Sequence, residues 1–525
     1  MTFLSGMFPI FLICTVVLYF LVPLAYRWGV LLAASLIFYV SAGLEKLPFL
    51  LVTALVVYGA ARWIDFVYES RAEYIREYKP DRGEKKRLQQ QDKKKCRRIL
   101  NGALIIVIGL LVYCKAGARA AAALSSVFSE GRLDWFRVIV PLGISYYTFS
   151  AVGYLADIYW KREKAEKNFF KMVLFLAYFP QILQGPIARH RQLANQLVEG
   201  HSFDVKRISY GLQLALWGYF KKLVIADRLI IFINTVFQNF WEYRGIVFIV
   251  AVLLSGLQLY CDFSGCMDIA RGISQVFGIE LEKNFDHPFF ARSAAEFWRR
   301  WHITLGAWFK DYVYMPLVIS PRVTKLSQSV KKTFGVRAGR AVAVVIPLGC
   351  VWILTGLWHG TGYNYIAWGV YWGAIIIFSA VFAPEIEKLT GFLRINTKAE
   401  SWKVLQMVRT YLLFSFGRLL TVPGSLHATW EVIRRTLSAH DIWSFFDGSL
   451  LEYGLDAKDF VLLAFTVLIL WGVSMLQEKG SVRERIAGYN LAVRWGIYYM
   501  AIFSVVIFGV YGPGYNSSAF LYMGF

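Results

Sequence analysis

Residues 7–24 read MFPIFLICTVVLYFLVPL, eighteen consecutive positions without a charged side chain. A helix of that length rises about 27 Å, which nearly matches the ~30 Å hydrocarbon core of a bilayer. Other apolar stretches occur at 30–42, 47–63, 100–113 and 460–475. Because lipid offers no hydrogen-bond partner, each segment must satisfy its own backbone groups as a helix. The sequence therefore predicts an all-α, polytopic integral membrane protein, with roughly 11 to 13 crossings by the length rule.

The composition agrees with this prediction and indicates one domain. Hydrophobic residues make up 57% of the 525 positions and charged residues only 18%, a balance unsuited to a soluble protein of this size. We find no soluble domain, internal repeat or low-complexity linker, so we expect a single membrane domain over residues 1–525. Polar residues in apolar surroundings concentrate at about 141–373, the expected catalytic region, and additional spans are expected at about 400–512.

The net charge of +22 is concentrated in a few polar stretches. We expect a basic loop between residues 71 and 98, which the positive-inside rule places in the cytoplasm. We expect the N-terminus to lie outside, so that three crossings lead from it to this loop. The first segment is interpreted as a retained span and not as a removed signal peptide. Residues 322–340 and 479–494 are also expected to be cytoplasmic. These stretches suit contact with anionic lipid headgroups or attraction of an acidic acyl donor; binding of nucleic acid is disfavoured.

The six cysteines show neither metal-ligand spacing nor an extracellular disulfide pattern. We expect them to pack as small apolar residues, including Cys261 and Cys266 beside a polar motif. No metal and no permanently bound cofactor is expected.

The first candidate motif, residues 296–317, reads EFWRRWHITLGAWFKDYVYMPL. Its first part is expected to form one helix, on which Glu296 can pair with Arg299 or Arg300 three and four positions later. Trp298 and Trp301, with a third tryptophan further on, suit an interfacial belt. His302 is interpreted either as a residue that orders this helix or as part of a site, and the residues alone favour neither.

The second motif, residues 348–373, reads LGCVWILTGLWHGTGYNYIAWGVYWG. An ionisable side chain within such an apolar helix is a functional-site hypothesis, and His359 is its only one apart from tyrosines. A buried imidazole stays neutral, so it can accept a proton from a hydroxyl. Gly356, Gly360 and Gly362 allow close approach of a backbone or an acyl chain. A histidine hydrogen-bonded between helices fits equally well.

Two weaker patterns precede these motifs. Asp262 lies in an apolar run, where it could orient a histidine, bind a polar acceptor, or pair with Arg299 or Arg300. Pro180 and Pro186 are expected to break a helix at membrane depth, where backbone lines a cavity or is buried. No catalytic role is assigned to the remaining histidines, His190, His201, His287, His427 and His440.

At these residues the chain resembles the membrane-bound O-acyltransferase family, in the bacterial branch that includes alginate O-acetyltransferases. Five blocks carry the resemblance over nearly the whole chain. In order they are PLGISYYTFSAVGYLADIYW from Pro141, YFPQILQGPIAR from Tyr178, YCDFSGCMDIARG from Tyr260, EFWRRWHITLGAWFKDYVYMPL from Glu296 and GLWHGTGYNYIAWG from Gly356. The cysteines at 261 and 266 and the segment near Arg418 depart from the usual pattern.

The resemblance implies that His359 is the catalytic histidine and His302 a second site residue, in a helical shell whose broken or re-entrant helices form a central funnel. Asp262 would support the reactants, and Arg299 and Arg300 would hold donor phosphate or order the helix. Further supporting residues expected at the site are Trp298, Trp301, Trp358 and Asn364. The acyl donor would be acetyl-CoA, another CoA thioester or an acyl carrier protein.

The leading hypothesis is an enzyme of the bacterial cytoplasmic membrane that moves an acyl group, most simply acetyl, to a cell-surface polysaccharide. Transfer would be direct or would pass through an extracytoplasmic acyltransferase partner. The first alternative is D-alanyl transfer from a carrier protein to teichoic acid, which the extra C-terminal spans disfavour. The second is a polysaccharide exporter or scaffold without catalysis, although the repeat symmetry of many transporters is absent.

Overall fold

The computed structural model describes residues 1–125, 139–439, 441–512 and 515, with the backbone alone for 118–125. In this described part the secondary structure is helical, with no strand and one isolated β-bridge between Phe285 and Trp301. The prediction of an all-α protein is therefore confirmed.

The described chain is divided into two compact units. The first contains Met1–Leu212 and Ala270–Glu282. Its helices, in chain order, are α1 (Phe8–Leu21), α2 (Arg27–Val40), α3 (Leu47–Tyr78), α4 (Arg82–Ser125), α5 (Ile144–Tyr159), α6 (Phe169–Ala177), α7 (Phe179–Ile182), α8 (His190–Glu199) and the first half of α9 (Val205–Tyr219).

The second unit contains Gln213–Ile269 and the described chain from Lys283 onward. After a π-helical segment, Phe220–Ala226, its helices are α10 (Asp227–Gln238), α11 (Ile246–Val276, which ends in the first unit), α12 (Ala294–Arg300), α13 (Ile303–Phe309), α14 (Met315–Val318), α15 (Pro321–His359), α16 (Tyr363–Val381), α17 (Ala383–Phe392), α18 (Glu400–Leu419), α19 (Leu426–Leu437), α20 (Ala457–Gln477), α21 (Val482–Ala487) and α22 (Leu491–Phe508).

Seven helices of the described chain are long and apolar enough to cross a membrane: α3, α4, α11, α15, α16, α20 and α22. Two shorter apolar segments, Phe8–Leu21 and Leu24–Val40, precede them. The chain is therefore a multi-pass membrane protein, as predicted. The count of 11 to 13 crossings and the central funnel stay predictions.

The basic stretch at 71–98 is not a loop, contrary to the prediction. Helix α3 continues to Tyr78 and α4 begins at Arg82, so only three residues connect them. With 32 and 44 residues, the two helices are about 48 and 66 Å long, well beyond the ~30 Å core of a bilayer. Lysine, arginine and glutamine are good helix formers, so a charged sequence here extends the helices instead of ending them.

Residues 322–340, the second basic stretch, are helical as well. They form the first half of α15, which kinks at Gly335, where φ is 89°. The predicted break near Pro180 is confirmed: α6 ends at Ala177, Tyr178 leaves the helical conformation, and the one-turn helix α7 follows. Proline at the second position of α7 is compatible with a helix start but not with a continuous α6.

The core of the first unit is aromatic. Phe11 contacts Phe179 edge to face at 5.3 Å between ring centroids, and Phe38 lies 5.9 Å from the same ring. Since Phe179 opens α7 directly after the break, these contacts fix the broken segment against α1 and α2. The hydroxyl of Ser35 also accepts a hydrogen bond from the backbone of Phe179 at 3.1 Å.

Candidate active site

His302 lies at a break between two short helices, not on the continuous helix that was expected. Helix α12 ends at Arg300, and His302 adopts the left-handed conformation, with φ 48° and ψ 52°, directly before α13. The chain on either side is tied to residues 284–286. The Asp286 N–H donates to the Arg300 carbonyl at 2.9 Å, and the Ile303 N–H donates to the Asn284 carbonyl at 3.0 Å. These contacts hold a conformation that is uncommon for a residue with a side chain.

The imidazole of His302 is buried, with 3% of the residue exposed. Its Nδ1 lies 3.3 Å from Asn284 Oδ1, which also accepts hydrogen bonds from the Thr304 N–H at 2.9 Å and the Thr304 hydroxyl at 3.0 Å. Because an amide oxygen only accepts, His302 Nδ1 must carry the proton. Nε2 then presents a lone pair, and no described residue hydrogen-bonds to it. Burial lowers the pKa of His302 to about 3, so the ring is neutral at physiological pH.

His359 is the last residue of α15, not an interior residue of an apolar helix, and it is half-buried. Its ring lies between two indoles, with centroid distances of 4.7 Å to Trp358 and 4.9 Å to Trp368. The Trp368 contact is edge to face, at 77°. A helix C-terminus carries partial negative charge, which stabilises a cation there. The position therefore suits an imidazole that becomes protonated during a reaction.

Trp358 connects the two candidate histidines. Its ring centroid is 5.9 Å from that of His302 and 4.7 Å from that of His359. Phe263 contacts the other side of His302, edge to face at 4.8 Å. The structure thus brings two histidines that are 57 positions apart in the sequence to one buried indole.

The tryptophans of the first motif form a packed cluster and not the interfacial belt that was predicted. Trp298 lies 5.0 Å from Trp352, 5.6 Å from Trp368 and 5.0 Å from Trp372. Trp301 is buried against Phe297, with nearly parallel rings at 5.4 Å. Helix α12 is thereby fixed against α15 and α16, the helices on either side of His359.

The close approach predicted for Gly356 is confirmed. A Cβ at this position would lie 2.5 Å from the Tyr365 carbonyl oxygen and 3.3 Å from Gly369 Cα. Helices α15 and α16 therefore touch through their backbones just before the connection that follows His359. Asn364, another predicted site residue, is buried at the start of α16, and its Nδ2 has no hydrogen-bond partner among the described residues.

The two arginines of the first motif have different surroundings. Arg300 pairs with Glu296 at 2.9 Å, as its spacing predicted, and with Glu478 at 3.3 Å. Arg299 is exposed. Because Arg300 is held by two carboxylates, Arg299 is the better placed of the two to meet an anionic ligand.

Asp262 does not pair with either arginine, which corrects one of the alternatives. It is 1% exposed and forms a buried ion pair with Lys222. Lys222 also pairs with Asp227 at 2.8 Å, and the Tyr515 hydroxyl donates to Asp227 at 2.7 Å. The adjacent Lys221 pairs with Asp268 at 2.7 Å.

The sequence analysis overlooked Asn284 and the two lysines at 221 and 222. Asn284 follows a lysine in an apparently ordinary polar turn, and nothing local marks it as a partner of His302. A signal was present for the lysines, because two consecutive cations in the apolar run LWGYFKKLVIA need buried counter-charges.

Most of the remaining histidines have structural partners. His190 lies 3.1 Å from Glu163, His201 Nε2 lies 2.8 Å from the Gln196 carbonyl, and His287 lies 3.0 Å from Glu478. His427 is exposed, and His440 lies outside the described residues.

Residues 161–394, which include both candidate histidines, match the model of the membrane-bound O-acyltransferase (MBOAT) family. This region of the chain therefore resembles the family. Several similar proteins are probable alginate O-acetylases, so the chain is similar to the alginate O-acetyltransferase-like branch.

Among individual relatives, the chain is 31% identical to a probable alginate O-acetylase AlgI of Pseudomonas syringae pv. tomato, over 66% of this chain and 62% of the relative. It is 31% identical to the peptidoglycan O-acetyltransferase of Helicobacter pylori, over 49% of this chain and 51% of the relative. It is 30% identical to the teichoic acid D-alanyltransferase of Streptococcus thermophilus, over 44% of this chain and 55% of the relative. The chain thus spans less than two thirds of the length of each of these three relatives.

Proposed function

We propose that this protein is an O-acyltransferase of the bacterial cytoplasmic membrane that moves an acetyl group from a cytosolic thioester to a cell-surface polysaccharide. The observation that carries the proposal is that His302 and His359 both lie next to the ring of Trp358, with centroid distances of 5.9 and 4.7 Å. Transfer is direct or passes through an extracytoplasmic partner acyltransferase. The N-terminus lies outside, and the basic ends of the helices face the cytosolic donor.

In the proposed reaction, an acceptor hydroxyl oxygen attacks the thioester carbonyl carbon, and His359 accepts the hydroxyl proton. The C–S bond then breaks, and the leaving thiolate takes the proton from the imidazolium. His359 thus acts as the general base in the first step and as the general acid in the second. The half-buried position of His359 at a helix C-terminus suits both states.

We assign His302 a different role, because a ring with a pKa of about 3 is a weak base. Its Nδ1 proton is committed to Asn284, so Nε2 can accept a hydrogen bond from the acceptor hydroxyl. His302 would therefore orient the hydroxyl while His359 removes its proton. Exposed Arg299 is proposed to contact donor phosphate, while Arg300 orders α12 and Asp262 supports the fold through Lys222.

The relatives support acetyl as the acyl group and a polysaccharide as the acceptor. Two of them are named for O-acetylation, one of alginate and one of peptidoglycan. The similarity to the alginate O-acetylase covers 66% of this chain, against 44% for the teichoic acid D-alanyltransferase. D-Alanyl transfer is the second candidate, because the chain is 30% identical to that relative over 240 residues. A non-catalytic exporter or scaffold would give no role to the paired histidines.

The test compares His359→Ala and His302→Ala with His427→Ala in a strain that lacks its own copy of the gene. His427 is exposed and lies outside the candidate site, so its variant controls for loss of a histidine. We expect both site variants to accumulate in the membrane. Ester-linked acetate on the surface polymer should fall at least about 100-fold in His359→Ala, the usual scale for losing an acid–base group, and should fall less in His302→Ala, which loses only the hydrogen bond that orients the hydroxyl. Normal acetate in a well-accumulated His359→Ala strain would refute the proposal.

The acyl group itself is identified by releasing surface esters with mild base. Acetate supports the proposal. Release of D-alanine in its place would establish the second candidate, and unchanged esters of either kind on deletion of the gene would favour an exporter or scaffold.

A further inference from the structure

The long hairpin of α3 and α4 encloses a cavity of about 590 Å³ at its polar end, together with the end of α5. Its volume lies within the ~300–1,000 Å³ typical of small-molecule sites. The charged residues of α3 begin only at Arg62, and the charged first part of α4 ends at Arg98, before an apolar stretch that continues to Cys114. The cavity therefore lies where both helices have left their apolar segments. All of its lining residues belong to the first unit.

The charge of this cavity is strongly positive. Its lining includes Arg71, Lys85, Lys93 and Lys161, against one carboxylate, Asp92. Arg71 binds that carboxylate through two nitrogens, at 2.7 and 3.2 Å, so the carboxylate is already neutralised. Lys85 and Lys93 form no ion pair with any described residue. Three lysines thus remain to attract an anion.

One wall of the cavity is aromatic and is shaped by an unusual backbone. Lys161 adopts a left-handed conformation, with φ 59°, which places its Nζ 4.0 Å from the centre of the Tyr68 ring. Tyr159 and Trp160 precede it and also line the cavity. Trp160 keeps 36% of its surface exposed, and Arg162 lies over its ring at 4.4 Å from the centre. Flat rings next to ammonium groups offer both stacking and charge in one site.

We propose that this cavity is a binding site for a nucleotide, with the phosphates against Lys85 and Lys93 and the base against the ring of Trp160. Phosphate supplies the negative charge that the lysines lack, and base–aromatic stacking is favourable for every base. A phospholipid headgroup would satisfy the lysines but would leave the aromatic wall unused. The proposal concerns a site separate from the two histidines and does not depend on the acyl transfer.

The test measures binding of adenosine diphosphate to the full-length protein in nanodiscs of phosphatidylcholine, by isothermal titration. Lys85→Gln combined with Lys93→Gln should weaken binding at least about tenfold, since two charge-assisted contacts are lost. The matched control combines Lys325→Gln with Lys332→Gln, two exposed lysines on α15, and should bind like the wild type. Trp160→Leu should weaken adenosine diphosphate but not inorganic pyrophosphate, which has no ring to stack.

Several results would overturn the proposal. They are absence of binding, equal weakening by the control pair, and loss of nucleotide binding when phosphatidylglycerol is added to the nanodiscs, which would assign the cavity to a lipid headgroup. His359→Ala should bind the nucleotide like the wild type. Failure of the acyltransferase proposal and failure of this one are therefore distinguishable.

Discussion

The buried cluster of Lys222 with Asp227 and Asp262 allows a quantitative prediction about stability. The Lys222 ammonium is 1% exposed and is shared by two carboxylates that are 6% and 1% exposed. Replacing Lys222 by methionine keeps the length of the side chain but removes the charge. Breaking a buried ion pair from one side usually costs about 3–5 kcal/mol. We expect Lys222→Met to lie at the upper end of that range, because two carboxylates lose their counter-ion.

Asp262→Asn provides the comparison within the same cluster. Lys222 keeps its 2.8 Å contact with Asp227, and the asparagine oxygen still accepts a hydrogen bond. The loss is then one charge-assisted interaction, about 1–3 kcal/mol. The order of the two variants is the essential prediction: the lysine variant must be the less stable.

The pH dependence of the lysine variant adds a second measurement. Burial raises the pKa of Asp227, and the nearby Asp262 raises it further, while Lys222 opposes both. The two carboxylates outweigh burial and raise the pKa of Lys222, so the wild-type lysine stays charged. Without Lys222, the pKa of Asp227 in the folded state rises further above that of the unfolded chain. Lower pH therefore restores part of the stability of Lys222→Met, because the folded state then binds the extra proton.

Both quantities come from thermal unfolding of purified protein in detergent across a pH series. Lys458→Met, which removes an exposed lysine, serves as the control and should stay within about 0.5 kcal/mol of the wild type. The reasoning is refuted if Lys222→Met is as stable as that control, or if Asp262→Asn is the more damaging of the two.

Two further predictions concern the candidate active site. Because the pKa of His302 is about 3 when folded, against an ordinary value of 6.5, only the unfolded chain gains a proton as pH falls below 6.5. The free energy of unfolding should therefore be constant above pH 6.5 and fall by about 2 kcal/mol by pH 5. His302→Gln should remove that decrease in the same unfolding assay. If the variant keeps the same dependence of stability on pH, the burial argument is contradicted. Gly356→Ala should cost about 1–3 kcal/mol by pushing α15 from α16, whereas Gly349→Ala on the same helix, with no atom within 4 Å of its Cβ, should be neutral or slightly stabilising. Equal stability of the two alanine variants would show that the helices separate without cost.

The sequence predicted those features whose causes are local. Apolar length identified α3, α4 and α20, and Pro180 located the break before α7, because a proline ring is excluded from the helix interior. The prediction of a loop at 71–98 was wrong, because the positive residues were taken to indicate a loop although they favour helix. The break at His302 has no proline or glycine to announce it. It depends on backbone hydrogen bonds from residues 284–286, which local spacing does not reveal.

The candidate site was predicted in its residues and only partly in its geometry. His359 and His302 were both named, and the structure brings them to one tryptophan. The partner of Asp262 was missed because Lys222 lies 40 positions earlier, on another helix. The arginine at 300, by contrast, was matched correctly to Glu296, since residues four apart face each other on any helix.

The π-helical turn at Phe220–Ala226 makes this part of the chain more sensitive to length than to composition. A π turn is an α-helix with one residue too many per turn, and each residue turns an α-helix by about 100°. Deleting a single residue here would rotate the helix before the deletion by about 100° relative to the helix after it, so a loss of one position would undo contacts that many substitutions leave intact. Among related chains, we expect this segment to vary in its side chains while its number of residues stays fixed.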